Sequence, residues 1–76
     1  MPSAARSSTR PIAARALVKE APYRESGYRL LMEVLARRDN VAEALQVYEG
    51  LRRRLRDDLG AAPSAGTQEL HRQLLA

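Results

Sequence analysis

The sequence predicts an all-α fold, in which an antiparallel helical hairpin is flanked by two shorter helices. Two segments place apolar residues at three- and four-residue steps, which is the spacing of one helix face. A tight turn at residues 38–40 joins them, so their helices should lie antiparallel and in contact. No segment alternates polar and apolar residues as a strand would. A chain of 76 residues makes one small domain or a piece of a larger one, and a chain of this size buries about 60% of its unfolded surface.

The chain begins with a segment that differs in composition from the rest. Residues 1–10 are small, polar and basic with no periodicity, so we expect a disordered basic arm there and a domain over 11–76. Pro11 suits the first position of a short helix. Pro22 ends that helix, whose apolar stripe is Ile12, Ala13, Ala16 and Leu17.

The first arm of the hairpin should run over about 23–38. Gly27 within it is either a weak point costing about 1 kcal/mol or a place where a second helix comes close. Its apolar face is Tyr28, Leu31, Met32 and Leu35. Another face alternates charge at four-residue steps through Glu25, Arg29, Glu33 and Arg37.

The second arm, 40–60, has a marked beginning and end. Asn40 should cap it by accepting a backbone N–H bond, and Glu43 should reach back to the cap. Gly60 suits the left-handed residue that closes a helix. After the loop, Ser64 should cap a last helix in which Leu70 and Leu74 repeat. The apolar stripe of the second arm is Ala44, Tyr48, Leu51, Leu55 and Leu59.

The net charge of +4 belongs to the start of the chain. Four basic residues precede the first acid, Glu20, and nine basic residues then balance nine acids. A non-specific DNA binder would show a basic face on its folded part.

The chain has no cysteine, which excludes disulfides and thiolate metal sites and fits the cytoplasm. Its apolar runs fall far below the roughly 18 residues that span a bilayer.

Catalysis finds no support in the sequence. His71 is the single histidine, so it has no second histidine or cysteine with which to share a metal. Ser64, Glu69 and His71 could serve a hydrolase, but they lie in one short loop-and-helix segment. No glycine-rich phosphate loop is present. We therefore expect no enzyme activity and no cofactor, with His71 half-exposed on the surface.

An arginine run in the second arm is the candidate for nucleic-acid contact, through Arg52, Arg53 and Arg56. Acids at four-residue steps should neutralise much of it within its own helix. The expected pairs are Arg53 with Glu49 or Asp57, and Arg54 with Asp58. Direct phosphate contact by the run therefore stays an alternative.

Two resemblances rest on specific residues. The spacing Tyr28-x2-Leu31-Met32-x2-Leu35, then Ala44-x3-Tyr48, is similar to the tetratricopeptide repeat, although Met32 stands where that pattern has glycine. Residues 12–75 resemble the C-terminal part of the bacterial transcriptional activator domain found in regulators of the Streptomyces antibiotic regulatory protein type. The matching residues are Pro22, Arg24, Glu25, Leu31, Met32, Ala42, Glu43, Ala44, Leu45, Tyr48, Leu51, Arg52, Leu55, Asp58, Leu59, Gly60, Pro63, Ser64, Leu70, Leu74 and Leu75.

The second resemblance implies a tetratricopeptide-like domain of a cytoplasmic transcription regulator. In that family a DNA-reading winged helix-turn-helix precedes the domain. We find no room for one before Pro11, so we expect a truncated product or a fragment that keeps the interaction and regulatory part. Its partner would be another protein or a second copy in a homodimer, with DNA contacted weakly or indirectly. Tetratricopeptide spacing would turn Ser26, Arg29, Glu33 and Arg37 toward the partner groove. The alternative is that this charged side of the helix only faces solvent.

Two other readings stay open. The chain could bind nucleic acid directly and non-specifically through the basic arm and the Arg52–Arg56 run. It could also be a poorly folded, non-functional remnant, because fewer than about three stacked repeats rarely bury a continuous core.

Overall fold

The computed structural model describes the backbone of residues 2–76 and the side chains of residues 11–76. All regular secondary structure in that range is α-helical. The expected disordered arm at 1–10 lies outside the fully described residues. The helices are α1 (Pro2–Glu20), α2 (Glu25–Arg37), α3 (Val41–Leu59) and α4 (Ala65–Leu75). α2 packs against each of the other three, so it is the central helix of the domain.

The hairpin of α2 and α3 forms as predicted, with the predicted apolar faces in contact. One cluster joins Leu31, Met32 and Leu35 to Ala44 and Tyr48. A second cluster, nearer the open end of the hairpin, joins Tyr28 to Leu51 and Leu55. Leu59 does not follow them and is 57% exposed. It lies one turn beyond Leu55, past the level of Glu25 at which the antiparallel α2 begins. α2 therefore does not cover it.

The predicted apolar stripe of α1 is wrong in its rotation. Ile12 and Leu17 are 65% and 47% exposed, whereas Ala14 is fully buried and Val18 packs on both core clusters. A stripe of two turns contains too few apolar residues to specify which side faces the core. The contact of α1 with α2 at Gly27 determines instead which side of α1 faces the core. A Cβ on Gly27 would lie 3.5 Å from the Leu17 Cβ, which confirms the close helix approach. Pro11, expected at the first position of this helix, lies inside it.

The ends of α3 are settled in different ways. Gly60 is left-handed, with φ 64°, and its N–H bonds to the Arg56 carbonyl. This closure is the one predicted for glycine. The predicted capping box at the start is wrong, because Asn40 makes no side-chain cap. Its amide donates instead to the Glu43 carboxylate at 2.6 Å, and its backbone N–H bonds to the Leu35 carbonyl.

Candidate interaction surfaces

The predicted partner face of α2 divides into two parts. Ser26, Glu33 and Arg37 are exposed and lie on one side of the helix, as their spacing at 3.6 residues per turn requires. Arg29 lies at the edge of this side and reaches α4, where its guanidinium donates to the Thr67 hydroxyl at 2.9 Å. Three of the four predicted residues therefore form an open surface, and the fourth holds α4.

The contact of Arg29 belongs to a polar cluster at the junction of α2 and α4. The Glu25 carboxylate accepts bonds from the Thr67 hydroxyl at 2.6 Å and from the Ser64 hydroxyl at 2.9 Å. It also accepts the Ser64 backbone N–H at 2.9 Å. Thr67 is fully buried. Glu25 therefore caps α4 from another helix, and the predicted cap by the Ser64 side chain is wrong because that hydroxyl is engaged by Glu25.

The same contacts decide the ionisation of Glu25. Burial pushes the pKa of this carboxyl upward, but the bonds from Thr67 and Ser64 and the charge of Arg29 outweigh burial, so the net pKa is lowered. A carboxylate at the start of a helix is also favoured by the helix dipole. The cluster is thus most stable with Glu25 charged. The sequence showed the charge ladder but gave no sign that α4 would meet it.

α4 also contacts the hairpin through Leu70 and Leu74, which pack on the core, and through a ring stack. The His71 imidazole lies on the Tyr48 ring with centroids 3.8 Å apart and planes 8° apart. His71 is half-buried, as expected, but it is a packing residue. Sequence reasoning missed this role, because no local pattern links a histidine in the last helix to a tyrosine in the hairpin.

The arginine run is largely paired with acids. Arg52 forms an ion pair with Glu49, and Arg53 lies 3.5 Å from the same carboxylate. Arg56 pairs with its neighbour Asp57 at 3.0 Å. The pairing of Arg53 with Glu49 was predicted, whereas Asp57 contacts Arg56 in place of Arg53. All three residues proposed for nucleic-acid contact therefore have a carboxylate beside them.

Arg54 departs from the predicted pairing. Asp58, expected to neutralise it, instead accepts the Tyr23 hydroxyl at 2.9 Å. Among the side chains of residues 11–76, no carboxylate forms an ion pair with Arg54. Its charge acts on two tyrosines instead. The bond to Asp58 raises the pKa of Tyr23 and burial raises the pKa of Tyr28, and the Arg54 guanidinium partly opposes both rises.

Two grooves lie on opposite sides of α2. The first, which we call the N-terminal groove, has a volume of about 470 Å³ between α1 and α2, and Ser26 lies in its wall. Its apolar lining comes from Leu17 and Leu30, both of which are exposed. The N-terminal groove therefore adjoins the open part of the predicted partner face.

The second, which we call the cationic groove, runs between α1 and α3 with α2 as its floor. Its volume is about 350 Å³. Arg15, Lys19 and Arg54 stand at its rim, and Gly50 forms part of its α3 wall. Its floor and sides are apolar, lined by Val18, Tyr28, Leu31 and Val47. Sequence reasoning did not predict this groove, because its rim combines cations from two helices that are distant in the chain.

Comparison with known proteins identifies the family. The sequence profile of the bacterial transcriptional activator domain matches residues 7–75. The chain belongs to this family. The resemblance inferred from the residues is therefore confirmed, while its tetratricopeptide-like character and its placement in the C-terminal part of the domain stay predictions.

A relative of known annotation agrees with that assignment. The chain is 47% identical over 60 residues to the "Regulatory protein AfsR" of Streptomyces coelicolor. The match covers 79% of this chain and 6% of that protein, so the chain spans a small part of the relative's length. No solved structure gives a significant match. None of the helices in the described part of the chain is long and apolar enough to cross a membrane.

Proposed function

We propose that this chain is a non-catalytic interaction and regulatory module of a bacterial transcriptional regulator, working in the cytoplasm. The observation that carries the proposal is the family match over residues 7–75. The module would act through contacts with a protein partner or with a second copy of itself. Contact with DNA through this chain would be weak or indirect.

The open side of α2 is the surface that best suits such contacts. Ser26, Glu33 and Arg37 are exposed there, with the N-terminal groove and Leu30 beside them. Exposed charges with an adjoining apolar groove give a partner both orientation and buried area. Arg29, the fourth predicted residue, would contribute by holding α4 in place, since its guanidinium bonds to Thr67.

The paired arginines weigh against direct nucleic-acid binding. Arg52, Arg53 and Arg56 each contact a carboxylate, so binding phosphates would require breaking those ion pairs. A salt titration of DNA binding separates the two functions, because affinity for phosphates falls steeply with salt.

The test reverses charges on the open side of α2 in the full chain. Glu33→Arg with Arg37→Glu should lower transcription from a target promoter about tenfold, equivalent to about 1.4 kcal/mol of lost contact free energy. Arg29 is left unchanged because its loss would also loosen α4. The readout is a promoter reporter, with a thermal melt to show that the fold is unaltered.

The matched control reverses an exposed ion pair elsewhere. Glu69→Arg with Arg72→Glu changes the same charge types on α4, where the pair is also exposed, and should leave the promoter signal unchanged. Equal transcription from the wild type and the α2 variant would contradict the proposal that this surface contacts a partner.

A further inference from the structure

The cationic groove has a charge pattern that the fold itself does not require. Neither Lys19 nor Arg54 forms an ion pair among the described side chains. Arg15 pairs with Glu43 across α1 and α3. The rim therefore keeps two cations without an ion-pair partner among the described side chains, over an apolar floor. Arg54 contacts the Tyr23 hydroxyl that bonds to Asp58, whereas the other three arginines of α3 each have an acid directly beside them.

Gly50 is a second feature that packing inside the chain does not explain. It lies in the middle of α3, where glycine costs about 1 kcal/mol relative to alanine. A Cβ there would meet no atom within 4 Å, so no neighbouring helix needs the missing side chain. Glycine is suited to places where a ligand comes close to the backbone, and Gly50 lines the cationic groove.

The chemistry of the groove selects its occupant. A floor of Val18, Leu31 and Val47 favours apolar side chains, and the rim cations favour carboxylates. The Tyr28 hydroxyl already bonds to the Pro22 carbonyl at 2.8 Å, so the floor offers no free donor from that ring. A phosphodiester chain would use the rim and leave the floor empty. An amphipathic helix with acidic flanks would use both, through the helix-in-groove mode of recognition.

A second copy of this chain does not supply such a helix. Within the described residues, α2 carries two acids and two arginines, and α3 carries four of each. α4 has one acid and one arginine, and residues 11–20 of α1 are net positive. No described helix is acidic, so charge complementarity requires a different protein.

We propose that the cationic groove, between α1 and α3 on the side of α2 opposite Ser26 and Arg37, binds an acidic amphipathic helix of a partner protein. The proposal rests on the proposed function, namely that the module acts through protein contacts. It adds a second surface and the chemistry of what that surface binds.

The test uses the full chain and a defined probe. The probe is a fluorescein-labelled 14-residue peptide with leucines on one helical face and glutamates elsewhere. We expect saturable binding by fluorescence anisotropy, with amide NMR shifts at Val18, Val47 and Arg54 and none at Ser26 or Arg37. Lys19→Glu and Arg54→Glu should each weaken binding about tenfold, since like charges then face each other.

Two leucine substitutions, one in the groove and one outside it, form a matched pair of variants. Gly50→Leu should fill the groove and weaken binding about tenfold, while the melting temperature stays equal or rises by about 4–8 °C because a helical glycine is removed. Gly66→Leu is the control, since Gly66 is exposed in α4 and a Cβ there also meets nothing. It should leave binding unchanged.

Several outcomes would overturn the proposal. They are absence of saturable binding, equal binding of a peptide with the same composition but scrambled leucines, and NMR shifts confined to the Ser26 side. An oligonucleotide that displaces the peptide with a steep salt dependence would make the groove a phosphate site. None of these results affects the outcome of the promoter test of Glu33 and Arg37. Failure of this inference can therefore be distinguished from failure of the proposed function.

Discussion

α1 and α4 flank the same hairpin and are held to it by different forces. α1 lies against α2 through small and apolar groups, with Ala14 buried and the Leu17 Cβ close to Gly27. α4 also packs Leu70 and Leu74 on the core, but it differs from α1 in its hydrogen bonds to the Glu25 carboxylate and in the stack of His71 on Tyr48. Apolar packing has no preferred direction, whereas hydrogen bonds weaken steeply when their angle is wrong. The two helices should therefore fail under different changes: α1 under added volume, α4 under lost polar partners.

Exposed ion pairs do not alter this comparison. The pair of Arg15 and Glu43 joins α1 to α3, but both side chains are more than one-third exposed. Such pairs contribute about 0–1 kcal/mol. The distinction between the two helices thus lies in what each of them buries against the hairpin.

The largest expected effect comes from added volume under α1. A Cβ on Gly27 fits at ordinary contact distance, but the backbone of Leu17 and Val18 lies 3.6 Å from it. Gly27→Leu leaves no space for the atoms beyond Cβ, so it should lower the free energy of unfolding by about 3 kcal/mol. Urea denaturation followed by circular dichroism measures the loss. A wild-type melt without cooperativity would instead favour the poorly folded remnant.

Alanine at the same position is the control. Gly27→Ala adds one methyl at contact distance and removes a helical glycine, which is worth up to about 1 kcal/mol. It should equal or exceed the wild type in stability. If alanine and leucine destabilised the protein equally, backbone conformation rather than space under α1 would be the cause.

The next effect comes from removing one polar partner under α4. Thr67→Val keeps the shape of a fully buried side chain but deletes the hydroxyl that bonds to both Glu25 and Arg29. The unmet partners should cost about 2 kcal/mol. Thr67→Ser, which keeps the hydroxyl, should cost less. A valine variant as stable as the wild type would show that packing alone holds α4, and the amide protection of α4 by hydrogen exchange would locate the change.

Apolar periodicity over long helices predicted the hairpin well, because the faces of α2 and α3 each contain four buried positions. It failed for α1, whose two-turn stripe gave Ile12 and Leu17 instead of Ala14. The C-terminal closure at Gly60 was predictable since left-handed backbone favours glycine. The side-chain caps by Asn40 and Ser64 were not predictable, because each side chain bonds to a different partner. Asn40 bonds to Glu43, and Ser64 bonds to Glu25 from another helix.

The proposed interaction surfaces were predictable only where they lie on one helix. Spacing placed Ser26, Glu33 and Arg37 together on an exposed side of α2. It could not show that Arg29 would reach α4, or that Asp58 would bond to Tyr23 and leave Arg54 at the rim of a groove. Each of these outcomes depends on a contact between residues more than thirty positions apart. Such contacts follow from the packing of helices, which local spacing does not contain.

The smallest expected effect is a pH dependence confined to the α4 contact. The pKa of Glu25 is lowered in the folded chain, so its contribution to stability is complete above the ordinary glutamate pKa of about 4.3. That contribution is lost as the pH falls through the lower folded value, because the unfolded state takes up its proton at a higher pH than the folded state does. Between pH 6 and pH 3 the wild type should lose about 0.3–1 kcal/mol more than Glu25→Gln, the range for a carboxylate at a helix start. The Arg52 contact also lowers the pKa of Glu49. Glu49 pairs within α3 and makes no contact with α4, so Glu49→Gln should retain most of the acid sensitivity of the α4 contact. Urea melts of the three proteins at both pH values measure this, and parallel losses in all three would place the acid sensitivity outside the cap that Glu25 gives to α4.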